Sequence, residues 1–134
     1  MNITLAQAEA AIKAAKEKAK QLNVLSNIAI VDAGANLVAF SRMDGAWLGS
    51  IDLAIGKART ARLFDMESGE IGKMSQPGGP IWQVEHSNGG RLITFGGGIP
   101  LRNSKDEIIG AIGSSGSTVE NDQAVSLAGA AGVR

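Results

Sequence analysis

Apolar residues recur at Leu5, Ala8, Ile12, Ala15, Ala19 and Leu22, the three-to-four-residue spacing of a helix with one buried side. Thr4 followed by Gln7 is a capping-box pattern, in which two side chains satisfy the first free backbone N–H groups. Lys13, Lys16, Lys18 and Lys20, with Glu9 and Glu17, make the solvated face. Ser26 to Asp32 is then apolar and β-branched, Asp32 to Ala35 supplies turn chemistry, and Asn36 to Arg42 completes a hairpin. Helical spacing returns at Ile51, Ala54, Ile55, Ala58 and Ala61, with Leu53 alongside and Ser50 as the capping candidate. That helix is expected to end near Phe64 and to leave Asp52, Lys57, Arg59 and Arg62 off its apolar side. A short helix is expected over Glu67 to Met74. Strands are expected over Arg91 to Phe95, Ile99 to Arg102 and Glu107 to Gly113, the last two joined through Asn103 to Asp106. Ser117-Thr118-Val119-Glu120 has capping-box form and opens a closing helix towards Ala131. Strands grouped in hairpins with helices between the groups predict an α+β fold with helices on a five-stranded antiparallel sheet.

The chain has 134 residues, a length that suits one domain and one core. Thirteen basic and 13 acidic side chains balance to a formal charge of +0, which argues against nucleic acid and anionic membranes as partners. There is no cysteine, so disulfides and thiolate chemistry are excluded, and a reducing cytoplasmic setting is expected. No apolar stretch approaches the roughly 20 residues of a membrane span, and Met1 to Thr4 lacks the pattern of a leader peptide.

Candidate chemistry concentrates between Gln76 and Arg102. Gln76-Pro77-Gly78-Gly79-Pro80 and Gly96-Gly97-Gly98-Ile99-Pro100 bracket the only histidine, His86. Glycine lets backbone approach a ligand closely, although it serves a tight bend equally well. Histidine is the residue type suited to proton transfer near neutrality, metal ligation or axial ligation of haem iron; its bland alternative here is a polar loop position. Glu85 adjoins it, and Trp82 offers a flat wall. Lys57, Arg59 and Arg62 share one helix, and Arg42, Arg91 and Arg102 lie at strand ends; either set suits a carboxylate. A closed zinc site lacks ligands, and Gly110-x-x-Gly113-x-x-Gly116 matches no nucleotide-binding fingerprint.

Six blocks carry a resemblance that spans almost the whole chain: residues 30–34 (IVDAG), 40–45 (FSRMDG), 57–61 (KARTA), 76–80 (QPGGP), 97–102 (GGIPLR) and 110–116 (GAIGSSG). In this order they resemble the small bacterial haem-binding or haem-degrading family typified by GlcG, HbpS and the C-terminal domain of the PduO adenosyltransferases. The resemblance implies a profilin-like three-layer α/β/α domain over residues 1–134, with symmetrical homo-oligomers. A first-helix histidine that matters for haem in some relatives has no counterpart between Thr4 and Asn23. With cysteine and tyrosine absent, iron ligation falls to His86, a methionine, a hydroxyl or water. The leading reading is a haem or tetrapyrrole binder, with His86 as metal ligand, Trp82 as wall, Arg91 or Arg102 on propionates, and Gly78, Gly79, Gly97 and Gly98 shaping the site. The second is a lyase, isomerase or hydrolase acting on a carboxylated metabolite, with Arg42 or Arg102 clamping the acid, His86 or Glu85 moving a proton, and glycine amides stabilising an enolate; Lys57 is a ligand-binding candidate for a propionate or a small acid alike. The third is a non-catalytic oligomeric accessory subunit.

Overall fold

The structure, a computed structural model, describes residues 1–133. Helix α1 (Leu5–Gln21) precedes the hairpin β1 (Asn27–Asp32) and β2 (Leu37–Arg42). Helices α2 (Gly49–Phe64) and α3 (Ser68–Met74) follow, then a long connection, the hairpin β3 (Gly98–Arg102) and β4 (Ile108–Ser115), and α4 (Val119–Ala131). All pairings are antiparallel, in the order β2-β1-β4-β3.

Strand alternation sorts the core into two layers. Ile28 and Ile30 of β1 and Ile112 of β4 join Ala8, Ala11 and Ala15 of α1 and Val125 of α4 on one face. Each buried isoleucine there contributes about 1.5–3 kcal/mol of transfer free energy. Ala29, Val31 and Ala111 turn the other way and meet Ala54, Ala58 and Ala61 of α2. The second layer consists almost wholly of small side chains, so α2 lies very close to the sheet. Gly113 marks the tightest point, because a Cβ there would collide with the carbonyl oxygen of Ala54.

The capping box at Thr4 forms, with Gln7 N–H donating to Thr4 Oγ1 at 3.1 Å and Thr4 N–H to Gln7 Oε1 at 2.9 Å. Two expected caps do not. Helix α2 begins after Leu48 without a side-chain cap, and Ser50 is buried within its first turn. In α4 the cap is Thr118, whose Oγ1 accepts from Asn121 N–H, and Glu120 lies inside the helix.

The sheet has four strands among the described residues, not five. Residues 91–95 do not join it, because side chains replace the partner strand. Ile93 N–H donates to Thr60 Oγ1 at 2.9 Å, and Ser68 Oγ donates to Phe95 O at 2.7 Å. Gly97 N–H reaches Gln123 Oε1 at 3.0 Å, and Gly98 N–H reaches Ser68 Oγ at 2.9 Å. The Gly98 bond also covers the outer edge of β3, since it occupies an amide directed away from β4. The next position that alternation turns outward is Pro100, which has no N–H.

Gly113→Ala should lower stability by about 1–3 kcal/mol through overpacking, read as a reduced urea midpoint with an unchanged slope.

Candidate functional site

The β3 and β4 ends, α2 and α4 meet around one buried cation. Lys57 is wholly buried, its Nζ 3.0 Å from Ser114 O and 3.1 Å from Asp122 Oδ2, with the Phe95 ring centroid at 4.9 Å. The three ammonium donors thus meet two oxygens and a π face. Asp122 Oδ1 accepts from Ser117 N–H at 3.1 Å. Ser114 Oγ donates to Asp122 O at 2.7 Å and lies 2.8 Å from Ser126 Oγ, which donates to Gly97 O at 2.7 Å. Gly97, at φ +124°, fits because it has no side chain: a Cβ would sit 2.7 Å from Ser114 O and 2.9 Å from Lys57 Nζ. Burial, more than anything else, pushes Lys57 below its usual 10.5, against the pull of Asp122. Burial likewise raises Asp122 above 3.8, against Lys57 and the backbone donors.

Above this pair lies a cleft of about 510 Å³ between α3, the 94–96 turn and the start of α4. Phe95 and Val119, both partly exposed, form its apolar surface. Glu67, Glu70 and Glu120 give it an acidic rim; Glu67 accepts from Gln123 Nε2, and Glu70 pairs with Lys73. A second cleft, about 400 Å³, runs along the outer edge of β3 between the start of α3 and the end of α4, and contains Met66, Leu127 and Arg102. Two smaller grooves flank Arg59 and Arg91 on the outer side of α2.

The site residues expected from sequence are dispersed. Lys57 holds the interior together and is not open to a ligand, and Gly97 and Gly98 give it room. Gly78 and Gly79 make a turn, with Gly79 N–H bonding Gln76 O at 2.8 Å. Trp82 and His86 are exposed on the connection between α3 and β3, and neither lines any of these clefts. Glu85, beside His86, keeps one carboxylate oxygen buried without a hydrogen-bond partner. Arg42 is exposed at the end of β2, Arg102 bonds Asp106 O at 3.0 Å, and Arg91 lies against α2. Among the described residues no cluster of three or more histidine, cysteine, aspartate or glutamate side chains suits a metal ion, and no helix is long and apolar enough to cross a membrane.

Phe95, Gln123, Ser114 and Asp122 were not anticipated from sequence. Lys57 carried a usable signal: it stands three residues after Ala54 and four before Ala61, on the apolar stripe. Asp122 carried none, since an acid in a first helical turn ordinarily answers the helix dipole.

A family model described as "Haem degrading protein HbpS-like" matches residues 3–131. The chain belongs to the HbpS-like family. It is 39% identical over 122 residues to an uncharacterized 15.0 kDa protein from the dhaT-dhaS intergenic region of Citrobacter freundii, covering 90% of this chain and 84% of that one. It is 40% identical over 111 residues to the corrinoid adenosyltransferase PduO of Salmonella typhimurium, covering 82% of this chain but only 32% of PduO. Among solved structures, Klebsiella pneumoniae ORFY superposes with a TM-score of 0.93 at 36% identity, over 98% of this chain and 90% of that one. A PduOC:heme complex gives 0.92 at 32%, over 98% and 95%. Streptomyces reticuli HbpS, solved as a double mutant, gives 0.88 at 28%, over 98% and 86%.

In this HbpS-like chain, Asp122→Ala should cost about 3–5 kcal/mol by leaving Lys57 buried without its counter-charge, while Lys57→Met with Asp122→Leu should fall near the wild type or above it. Urea midpoints check both. The raised Asp122 pKa contributes stability that is complete below 3.8 and lost as pH rises through the folded-state value. The lowered Lys57 pKa makes stability climb again as pH approaches 10.5. The double variant should lose both limbs of that profile.

Proposed function

We propose that this protein binds a tetrapyrrole, with haem the leading candidate. The observation that carries the reading is whole-chain likeness to a domain solved as a heme complex, within a family described as haem-degrading. A porphyrin needs a flat apolar wall, a donor for iron and cations for its propionates. The connection between α3 and β3 offers one of each: the exposed Trp82 indole, the exposed His86 imidazole, and the Arg91 guanidinium, which forms no ion pair among the described residues. Bound haem supplies an iron centre able to take an axial ligand and change oxidation state.

His86 is the residue we assign to hold the iron and Arg91 to hold a propionate, with Trp82 against the ring. All three stand on an open surface, which favours a macrocycle shared between copies of the chain. The assembly we propose is therefore a cytoplasmic homo-oligomer built from a profilin-like domain covering residues 1–134. Exposed Trp47, Leu48 and Trp82 are suited to contacts between copies. Glu85, with an unpartnered carboxylate oxygen beside His86, is the group we assign to exchange a proton with a bound ligand.

Haem titration of the purified protein beside His86→Ala checks the reading. A saturable, stoichiometric absorbance change in the wild type, lost or shifted in the variant, is expected. Absorbance that rises without saturating in the wild type would overturn it, and equal spectra from both proteins would remove His86 as iron ligand.

A further inference from the structure

Asp52, Gly56, Arg59 and Leu63 recur at helical spacing along the outer side of α2, and the segment from Asn88 to Ile93 lies against this stripe. Ile93 N–H bonds Thr60 Oγ1, Leu92 is buried, and the Ile93 side chain fills the space over Gly56, where a Cβ would come within 2.6 Å of it. This packing brings two arginines to the same two grooves. Arg59 and Arg91 line both the groove of about 340 Å³, walled by Ile55 and Ile93, and the groove of about 100 Å³ beside it.

Neither cation has a counter-ion among the described residues. Arg62 pairs with Asp65 and Arg102 with Asp106, whereas Arg59 forms no ion pair and donates only to a neutral carbonyl, Ala35 O, at 3.1 Å. Arg91 makes neither a hydrogen bond nor an ion pair through its guanidinium among the described residues. Arg42 is likewise unpaired among them but stands alone at the end of β2. The carboxylate in the larger groove belongs to Asp52, which is exposed and bonds neither arginine. Two arginines that line one groove can each offer a charge-assisted fork to a shared oxyanion. One of them is already oriented by the Ala35 bond. The isoleucine walls favour an oxyanion carried on an apolar body.

We infer that Arg59 and Arg91 form a clamp for a carboxylate on an apolar scaffold. The clamp deepens the tetrapyrrole reading, since a porphyrin propionate is one such group, and a small apolar carboxylic acid is the other source.

The experiment compares hemin, hemin dimethyl ester and benzoate on the wild type, Arg59→Gln, Arg91→Gln and the double variant at one fixed ionic strength. Melting without ligand reports the integrity of each variant. The exposed Arg91→Gln carries the result should Arg59→Gln lower the melting temperature. Hemin affinity is expected to fall about tenfold in each single variant and further in the double, while the ester binds every protein as weakly as hemin binds the double variant. Equal affinity for hemin and ester, unmoved by either substitution, would overturn the clamp and leave tetrapyrrole binding intact. If hemin fails to saturate, yet benzoate raises the wild-type melting temperature and not that of the double variant, the clamp stands for a small acid and the tetrapyrrole reading falls. No response to any of the three ligands would overturn both.

Discussion

A single ammonium group ties the two sides of this sheet together. Lys57 leaves α2, which covers one face, and ends against Asp122 of α4, which covers the other, with Ser114 of β4 accepting from it on the way. Because that charge is wholly buried, its surroundings must supply every partner, and they do so from three separate parts of the chain: β4, α4 and the turn before β3. The glycines before β3, the serines of β4 and α4, and the Phe95 ring all take positions that this cation requires. Such pairs seldom add net stability over an apolar equivalent, since burying two ions costs as much as their attraction returns. What the pair adds here is geometric: α2 and α4 have one relative placement in which both charges are satisfied. The cleft of about 510 Å³ is lined by Phe95, whose ring faces this ammonium, and by Gln123, the neighbour of Asp122, so part of its wall follows from the same constraint.

Much of the fold was legible because its signals are local. The Thr4 capping box, the apolar stripes of α1 and α2 and the Asn103 to Asp106 turn each lie within a few residues. The fifth strand failed for a non-local reason. Arg91 to Phe95 has strand-like residues, yet its backbone groups bond to Thr60 and Ser68, hydroxyls that stand 33 and 27 residues away from their partners. Nothing in the segment itself distinguishes a strand neighbour from a hydroxyl neighbour. The Ser50 cap failed because the helix begins ahead of it, at Gly49, which puts the buried serine inside the first turn.

The candidate site was legible in composition and not in assembly. His86, Trp82 and the first glycine-proline turn share one stretch of chain, as their order in sequence suggested, but Lys57, Gly97 and Gly98 belong to the interior. Arg102 has a surface partner in Asp106. Arg59 and Arg91, one from each of the two expected sets, line the same grooves through packing that no spacing rule anticipates. The second glycine cluster serves the buried cation, which leaves the long connection between α3 and β3 and the helix it crosses as the place where we propose a ligand binds.

The two outer strands are not equivalent. At β3, Ser68 occupies one outward amide and Pro100 removes another, whereas β2 presents a run of six residues, Leu37–Arg42, that contains neither proline nor glycine. Backbone addition is obstructed at β3, whereas no proline removes an outward amide from β2. A filament built by repeated strand addition, which needs two receptive edges on every subunit, therefore cannot propagate through this sheet.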